Sequence, residues 1–311
     1  MLVVVAPNLL WQVHNHWPTL EFLHNGRVEH KNVALGPLAF LNAQFVGMHP
    51  LNLLVWGTGL VWLLRRTQWR WLGITYVIFV GIMMALHAKD YYLIPIYPVL
   101  FAAGGLAWET WQRRSPRLRD PRRMFGFPVL QGTLVLTGLV LLPMSNPILT
   151  PPGWLGYTGA LHLRAQANKT ETMANGLLPQ FYADRFGWQE ETDQVERVVA
   201  GLSPEDRAKV SILCSNYGEA SALNFLGHGI PTAISGHNSY WMWGPNGATG
   251  EVVIVINGAT PDEMREYYGQ VEVVGRMGSV WSMPYENRNI YLARNRKQNL
   301  SADWGELKHY I

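Results

Sequence analysis

Long apolar runs crowd the first half of the chain and give way to short alternating runs in the second. Three runs, at 71–88, 91–108 and 125–144, approach the roughly 20 apolar residues that a helix rising about 1.5 Å per residue needs to cross a bilayer; the first of them carries no charged residue. A fourth, at 45–64, is interrupted by His49, Pro50 and Asn52. Buried helices of a soluble core can imitate one such run, but three in succession predict membrane-spanning helices. Beyond residue 145 the pattern changes. Pro147, Pro151, Pro152 and Gly153 make a linker, and a helix over 189–202 follows, with Val195, Val198, Val199 and Leu202 at three- and four-residue spacing. Ser203-Pro204-Glu205-Asp206 is a helix start, with a capping serine, a proline in the first turn and early acids. Strands are expected at 210–214, 252–256, 271–274 and 290–293, with helices over 219–226 and 261–268 between them, which is the order of a small open sheet flanked by helices. The predicted fold class is an α-helical transmembrane region of about four spans at 1–146, with an outward loop at 7–44, followed by a soluble α/β domain at 147–311.

Orientation follows from arginine. Arg65, Arg66 and Arg70 separate the first two spans, and Arg113, Arg114, Arg117, Arg119, Arg122 and Arg123 separate the last two. Helices joined by short loops alternate, so both basic loops fall on one side, and the positive-inside rule makes that side the cytoplasm. The Lys89-Asp90 turn, the segment before residue 45 and everything after 145 then face outward. The expected location is the bacterial inner membrane, multi-pass, with the C-terminal domain extracytoplasmic.

Composition alters this picture little. A charged fraction of 15% would suit a soluble protein, but it averages two unlike halves. Fourteen tryptophans and thirteen tyrosines fit interfacial aromatic belts, or an aromatic-rich carbohydrate site. The net charge of +3 is modest and its basic residues flank the spans, which excludes nucleic acid as a partner. A single cysteine, Cys214, rules out an internal disulfide framework and a cysteine-based metal cluster. The opening Met1 to Pro7 is apolar, lacks a charged n-region and is too short for a signal peptide. It reads as the end of a transmembrane helix, so a missing N-terminal half is expected.

Three constellations could carry chemistry. At His87-Ala-Lys89-Asp-Tyr91-Tyr92-Leu-Ile-Pro95, a cation and two tyrosines sit at the outer mouth between two spans. Such a lysine can pair with a lipid-linked phosphate while tyrosines donate hydrogen bonds; it can equally be an interfacial anchor, with lysine snorkelling beside belt tyrosines. The outward segment holding His14, His16, Trp17, Arg27, His30 and Lys31 is dense in aromatic and polar side chains. It can lie on the membrane surface as an amphipathic helix or line a polar substrate cavity, with His16, Trp17 and Arg27 as candidate contacts. His14 and His16 are two apart, which is not a helical metal pair, and no metal site is assigned. The third lies in the soluble domain: Ser215-Asn216-Tyr217-Gly218-Glu219, then Ser235-Gly236-His237-Asn238-Ser239-Tyr240-Trp241-Met-Trp243. Both segments follow apolar runs, where open α/β sheets place their crevices. His237, Asn238, Tyr240 and Trp241 suit a sugar, stacked on one face and hydrogen-bonded at its rim, although the tryptophans can also be core or membrane-facing. A Ser235–His237 hydrolase has no Gly-x-Ser-x-Gly elbow to support it, and no nucleotide-binding loop is present.

The blocks PNLLWQVHNHWPTLEF, KDYYLIPIYP, SNYGEASALNFLG, SGHNSYWMWG and MPYENRNIYLARN together resemble glycosyltransferase family 39, bacterial relatives of the dolichyl-phosphate-mannose protein mannosyltransferases in the GT-C membrane class. The resemblance covers most of the chain and matches the C-terminal half of a family member. It implies inverting transfer of a sugar from a polyprenyl-phosphate donor to an extracytoplasmic acceptor, with no cofactor. It implies donor-phosphate binding for Lys89, with Tyr92 beside it. The family's catalytic acid lies in the first extracytoplasmic loop, which this chain lacks, so no catalytic residue carries over. The competing expectation is a membrane-anchored extracytoplasmic saccharide-binding domain without catalysis.

Overall fold

The computed structural model describes residues 2–31, 33–114, 126–163 and 171–311. Two compact units form, and they do not follow chain order: Met1–Asn32 clusters with Pro151–Ile311, and Val33–Thr150 makes the second. Among the arginines used for orientation, Arg117, Arg119, Arg122 and Arg123 lie outside the described residues.

The second unit is helical. Helix α3 (Pro37–Gly47) ends at a sharp break, and α4 (Leu53–Arg65) leaves at 95° to it after the short turn Pro50–Asn52. Pro50 lacks an amide proton and disfavours helical geometry in the residue before it; His49 is out of helical geometry, at φ 63. Helix α5 (Arg70–Ala85) returns, a 3-10 turn (Asp90–Ile96) follows, and α6 (Tyr97–Arg114) runs beside α4. Helix α7 (Gly126–Ser145) closes the unit and is exposed almost throughout, with Val135, Leu136 and Leu139 more than 60% accessible. Such a helix has no aqueous rationale. Two helices are long and apolar enough to cross a membrane, Asp90–Arg114 and Pro128–Ser145, and three if the bent α3–α4 pair counts as one. Helix α5 is apolar but shorter.

The contact between α4 and α6 is backbone on backbone. A Cβ placed on Gly59 would lie 2.0 Å from the Leu100 carbonyl oxygen, and one on Gly104 would lie 2.1 Å from the Val55 carbonyl oxygen. Small residues allow this approach where lipid supplies no hydrophobic drive. The helices run parallel, so Arg65 and Arg66 end beside Arg114, and one cleft is lined by all three. Beneath the Lys89 turn lies a buried polar chain. The Gln44 amide donates to the Asp90 carbonyl at 2.7 Å, the Tyr97 hydroxyl donates to Gln44 Oε1 at 3.1 Å, and Tyr76 lies 3.2 Å further along. Trp56 packs edge-on against Tyr97, 5.4 Å between centroids.

In the first unit α1 (Leu2–His14) and α2 (Pro18–Val28) form a helical pair, so the stretch at 7–44 contains α2 and parts of α1 and α3. Helix α8 (Pro151–Ala160) buries Trp154 against Phe181 and Tyr182 of the short α9 (Gln180–Ala183). Then come α10 (Trp188–Gly201), α11 (Pro204–Lys209), β1 (Val210–Cys214), α12 (Tyr217–Leu226), β2 (Ala233–Ser235), β3 (Val252–Asn257), α13 (Pro261–Tyr267), β4 (Tyr268–Arg276) and β5 (Asn289–Arg296). The sheet order is β2-β1-β3-β5-β4, parallel through β2, β1 and β3 and antiparallel beyond. Every expected strand and helix is present, β4 and β5 are longer than expected, and β2 is an addition.

Alternation decides the two faces. Ile212, Ile254, Ile256 and Leu292 pack under Val195, Val199 and Leu223 of α10 and α12, while Val253, Val255 and Tyr291 face Met264 of α13. Cys214 closes β1 fully inside the first of these clusters. The linking polar groups are satisfied locally: Asn216 and Thr260 each build a capping box, with Glu219 and Glu263 at the third helical position.

Gly59→Ala and Gly104→Ala are expected to destabilise the helical unit by about 1–3 kcal/mol through overpacking against backbone. Gly81→Ala and Gly105→Ala, which meet nothing within 4 Å, are expected to leave the thermal midpoint of the detergent-solubilised chain unchanged. Equal effects at all four positions would contradict the close approach.

Candidate functional site

The carboxyl ends of β1 and β3 are where an open sheet of this order places a crevice. Here that position is filled by charge. The Glu219 carboxylate accepts from the Ser215 amide at 2.9 Å, the Asn216 amide at 3.2 Å and the Ser215 hydroxyl at 3.0 Å, and Arg288 Nε lies 3.2 Å away. Arg288 also donates to the Ser215 hydroxyl. Two further carboxyls converge: Glu286, 4.0 Å from Arg288, and Glu191, fully buried in the first turn of α10 with neither oxygen hydrogen-bonded.

One guanidinium cannot neutralise three buried carboxylates, and an unpaired buried charge costs several kcal/mol. Burial, reinforced by Glu219 and Glu286, pushes the Glu191 carboxyl up to about 9. Burial and then Glu219 push Glu286 up to about 7, with Arg288 opposing. At Glu219 burial also raises the pKa, against Arg288 and the hydrogen bonds it accepts. Glu219 therefore carries the negative charge and Glu191 the proton. Nothing in the spacing of these residues in the sequence announces the cluster, because an acid in a first helical turn is ordinary chemistry.

The expected site residues divide. His237 is buried, and its ring stacks on His309 at 4.7 Å with 2° between planes. Its Nδ1 lies 3.4 Å from the Tyr217 amide, and its Nε2 lies 3.1 Å from the Ile311 backbone oxygen and 3.0 Å from Asn238 Nδ2. Burial lowers its pKa to about 4, and with both nitrogens engaged it is not arranged as a general base. Asn238 pairs with Ile311 in both directions, donating at 3.0 Å and accepting at 2.9 Å. Trp241 and Trp304 donate their indole N–H groups to each other's backbone carbonyls, both at 2.9 Å. These three residues hold the C-terminal segment, which runs along β2 through the Gly236–His309 hydrogen bond.

Helix α2 holds the same segment from its other side. Glu21 pairs with Lys308 at 2.8 Å, the Asn25 amide donates to the Tyr310 carbonyl at 2.7 Å, and Lys31 donates to Ile311 at 3.2 Å. The two polar constellations are thus joined through residues 308–311. His16 and Trp17 form the α1–α2 turn, both left-handed at φ 60 and 61, and both exposed. Arg27 is exposed on α2.

Tyr240 alone of the four lines an open cleft, of about 540 Å³, with Asn224, Thr232, Trp243 and Asn246. Its ring lies 4.3 Å from Trp243, which is 71% accessible, and its hydroxyl accepts from the Asn224 amide at 3.2 Å. The turn Asn238–Trp243 sends Trp241 inward and Trp243 outward.

In the helical unit, Lys89 Nζ lies 5.8 Å from the Tyr91 ring centroid, Tyr91 meets Tyr92 edge-on at 5.1 Å, and both tyrosines are exposed. Among the described residues no group of three histidine, cysteine or acidic side chains could hold a metal ion. No family model, curated protein or solved structure matches the chain.

Glu191→Gln keeps the shape and removes the titration. Between the ordinary value of 4.5 and about 9, the folded chain holds a proton that the unfolded chain has lost. Wild-type stability therefore falls as pH rises through that window. The variant's stability advantage is expected to grow between pH 5 and pH 8 by about 4 kcal/mol, read as the difference in thermal midpoint. A pH-independent difference would rule out the buried neutral acid.

Proposed function

We propose that the chain is the C-terminal part of a membrane glycosyltransferase that moves a sugar from a polyprenyl-phosphate donor to an extracytoplasmic acceptor. In this reading the bent α3–α4 pair, α5, α6 and α7 make four passes through a bacterial inner membrane. The arginine-bearing ends face the cytoplasm, and the α/β unit stands outside. The carrying observation is the position of Lys89: it sits on a turn at the opposite end of the helices from Arg65, Arg66 and Arg114, followed after Asp90 by two exposed tyrosines. The Gln44 amide holds that turn from below, and the Tyr97 hydroxyl donates to Gln44 in turn. A rigid lysine at a membrane interface is suited to a phosphodiester that arrives from the lipid side.

The lysine ammonium would neutralise the donor phosphate, and the Tyr92 hydroxyl would donate a hydrogen bond to it. Both interactions strengthen as the sugar leaves and charge returns to the phosphate. The acid that activates the acceptor belongs to a segment that precedes these residues in the family the sequence resembles. In this reading Lys89 and Tyr92 serve donor binding.

With the detergent-solubilised chain, Lys89→Ala is expected to weaken polyprenyl-phosphate binding by about tenfold, and Tyr92→Phe by about threefold. Equilibrium binding to the purified variants reads both. Wild-type affinity in Lys89→Ala would overturn the assignment.

The exposed Trp243 beside Tyr240 favours a second reading, a saccharide-binding α/β unit. An aromatic face with Asn224, Asn246 and Thr232 at its rim is the furniture of sugar recognition. Under that reading oligosaccharide quenches tryptophan fluorescence in the full chain, and Trp243→Ala removes most of the change while Trp241→Phe does not. No quenching in wild type would exclude it.

A further inference from the structure

The ends of α4 and α6 carry a second feature that donor binding does not use. Between them lies a cleft of about 610 Å³ whose polar lining is Arg65, Arg66, Arg114, Trp62 and Thr58. Among the described residues no carboxylate lies within ion-pair distance of any of the three arginines; the nearby Glu109 is taken by Arg113 at 2.6 Å. Arg66 rests on the Trp62 ring at 5.3 Å. The Leu64 carbonyl at the end of α4 accepts from Arg70 at 2.9 Å rather than from Arg65 or Arg66. Three guanidinium groups in one cleft repel one another unless an anion is present. Below them the walls become apolar, through Val61 and Ala107, and the neighbouring helix surface is exposed and apolar at Leu54 and Leu106.

We propose that this cleft binds the phosphate headgroup of an anionic phospholipid, with its acyl chains lying along α4 and α6. A guanidinium fork matches phosphate oxygens bidentately, and Arg65 and Arg114 approach from two different helices. The Trp62 indole holds Arg66 in place by cation–π contact. A basic cleft between helices at one membrane face, with an apolar groove beneath, selects an amphiphile over a soluble anion. The lipid would tie together the ends of two parallel helices whose like charges otherwise separate them. This inference rests on the helical unit being membrane-embedded, and is independent of which sugar chemistry the protein performs.

The test is native mass spectrometry of the full chain released from detergent, with phosphatidylglycerol, phosphatidylcholine or inorganic phosphate added. Phosphatidylglycerol is expected to bind and to raise the thermal midpoint, whereas phosphatidylcholine is expected to do neither. The triple variant Arg65→Ala, Arg66→Ala, Arg114→Ala is expected to lose about tenfold or more in affinity. Arg113→Ala, which removes the partner of Glu109, is expected to bind as wild type. Should the triple variant not fold, Arg65→Ala and Arg114→Ala singly are expected each to lose about threefold. Unchanged phosphatidylglycerol binding in those variants overturns the site. Equal protection by inorganic phosphate overturns the lipid assignment and leaves a soluble-anion site. Reconstitution into phosphatidylcholine vesicles tests the membrane reading separately: a chain that does not float with them fails that reading, whatever the arginines do.

Discussion

Two helices whose backbones touch decide the layout of the helical unit. Gly59 and Gly104 let α4 and α6 meet without intervening side chains, and parallel helices in such contact must end together. Everything charged in the unit then sorts by end. The arginines closing α4 and α6 share a cleft, the Lys89 turn falls at the other end, and α5 has only to return the chain between them. Gln44 and Tyr97 extend that order to the turn itself by giving the Asp90 carbonyl a buried partner. A side chain at either glycine would separate the helices and uncouple the two ends.

The α/β unit follows a different constraint. Its sheet places a crevice at the ends of β1 and β3, but Arg288 and three glutamates close it. The open surface shifts sideways, past β2, to the cleft beside Trp243. A buried network with one unmatched carboxyl holds its parts rigidly only while a proton is shared into it. The neighbouring histidine pair is stacked, and residues 308–311 are held by hydrogen bonds and by the ion pair of Lys308 with Glu21.

Much of this was legible in the residues themselves, and the rest was hidden for identifiable reasons. Apolar run length found α7, because a helix exposed on all sides has no partner to distort its pattern. Pro50 signalled the break before α4. In the run at 91–108 the prolines announce an irregular helix start, and the segment Asp90–Ile96, with Pro95 inside it, is 3-10, although no apolarity scale records that. Strand β2 has three residues, too few for any periodicity. Glu191 looks like a favourable first-turn acid, and only tertiary packing removes its water. Trp241 and Trp243 are the same residue type two positions apart, and one turn of 3-10 helix gives them opposite fates. His237 and Asn238 read as chemistry because their partners, residues 309–311, lie far along the chain.

Cys214 sits wholly inside the sheet, and burial raises its thiol well above the ordinary value. A neutral, enclosed thiol does not react with water-borne alkylating reagents. The folded chain therefore offers thiol-directed reagents no reactive cysteine. A single cysteine introduced at any loop would be the molecule's only reporter, and which side of a sealed vesicle labels it would trace the path of the chain one turn at a time.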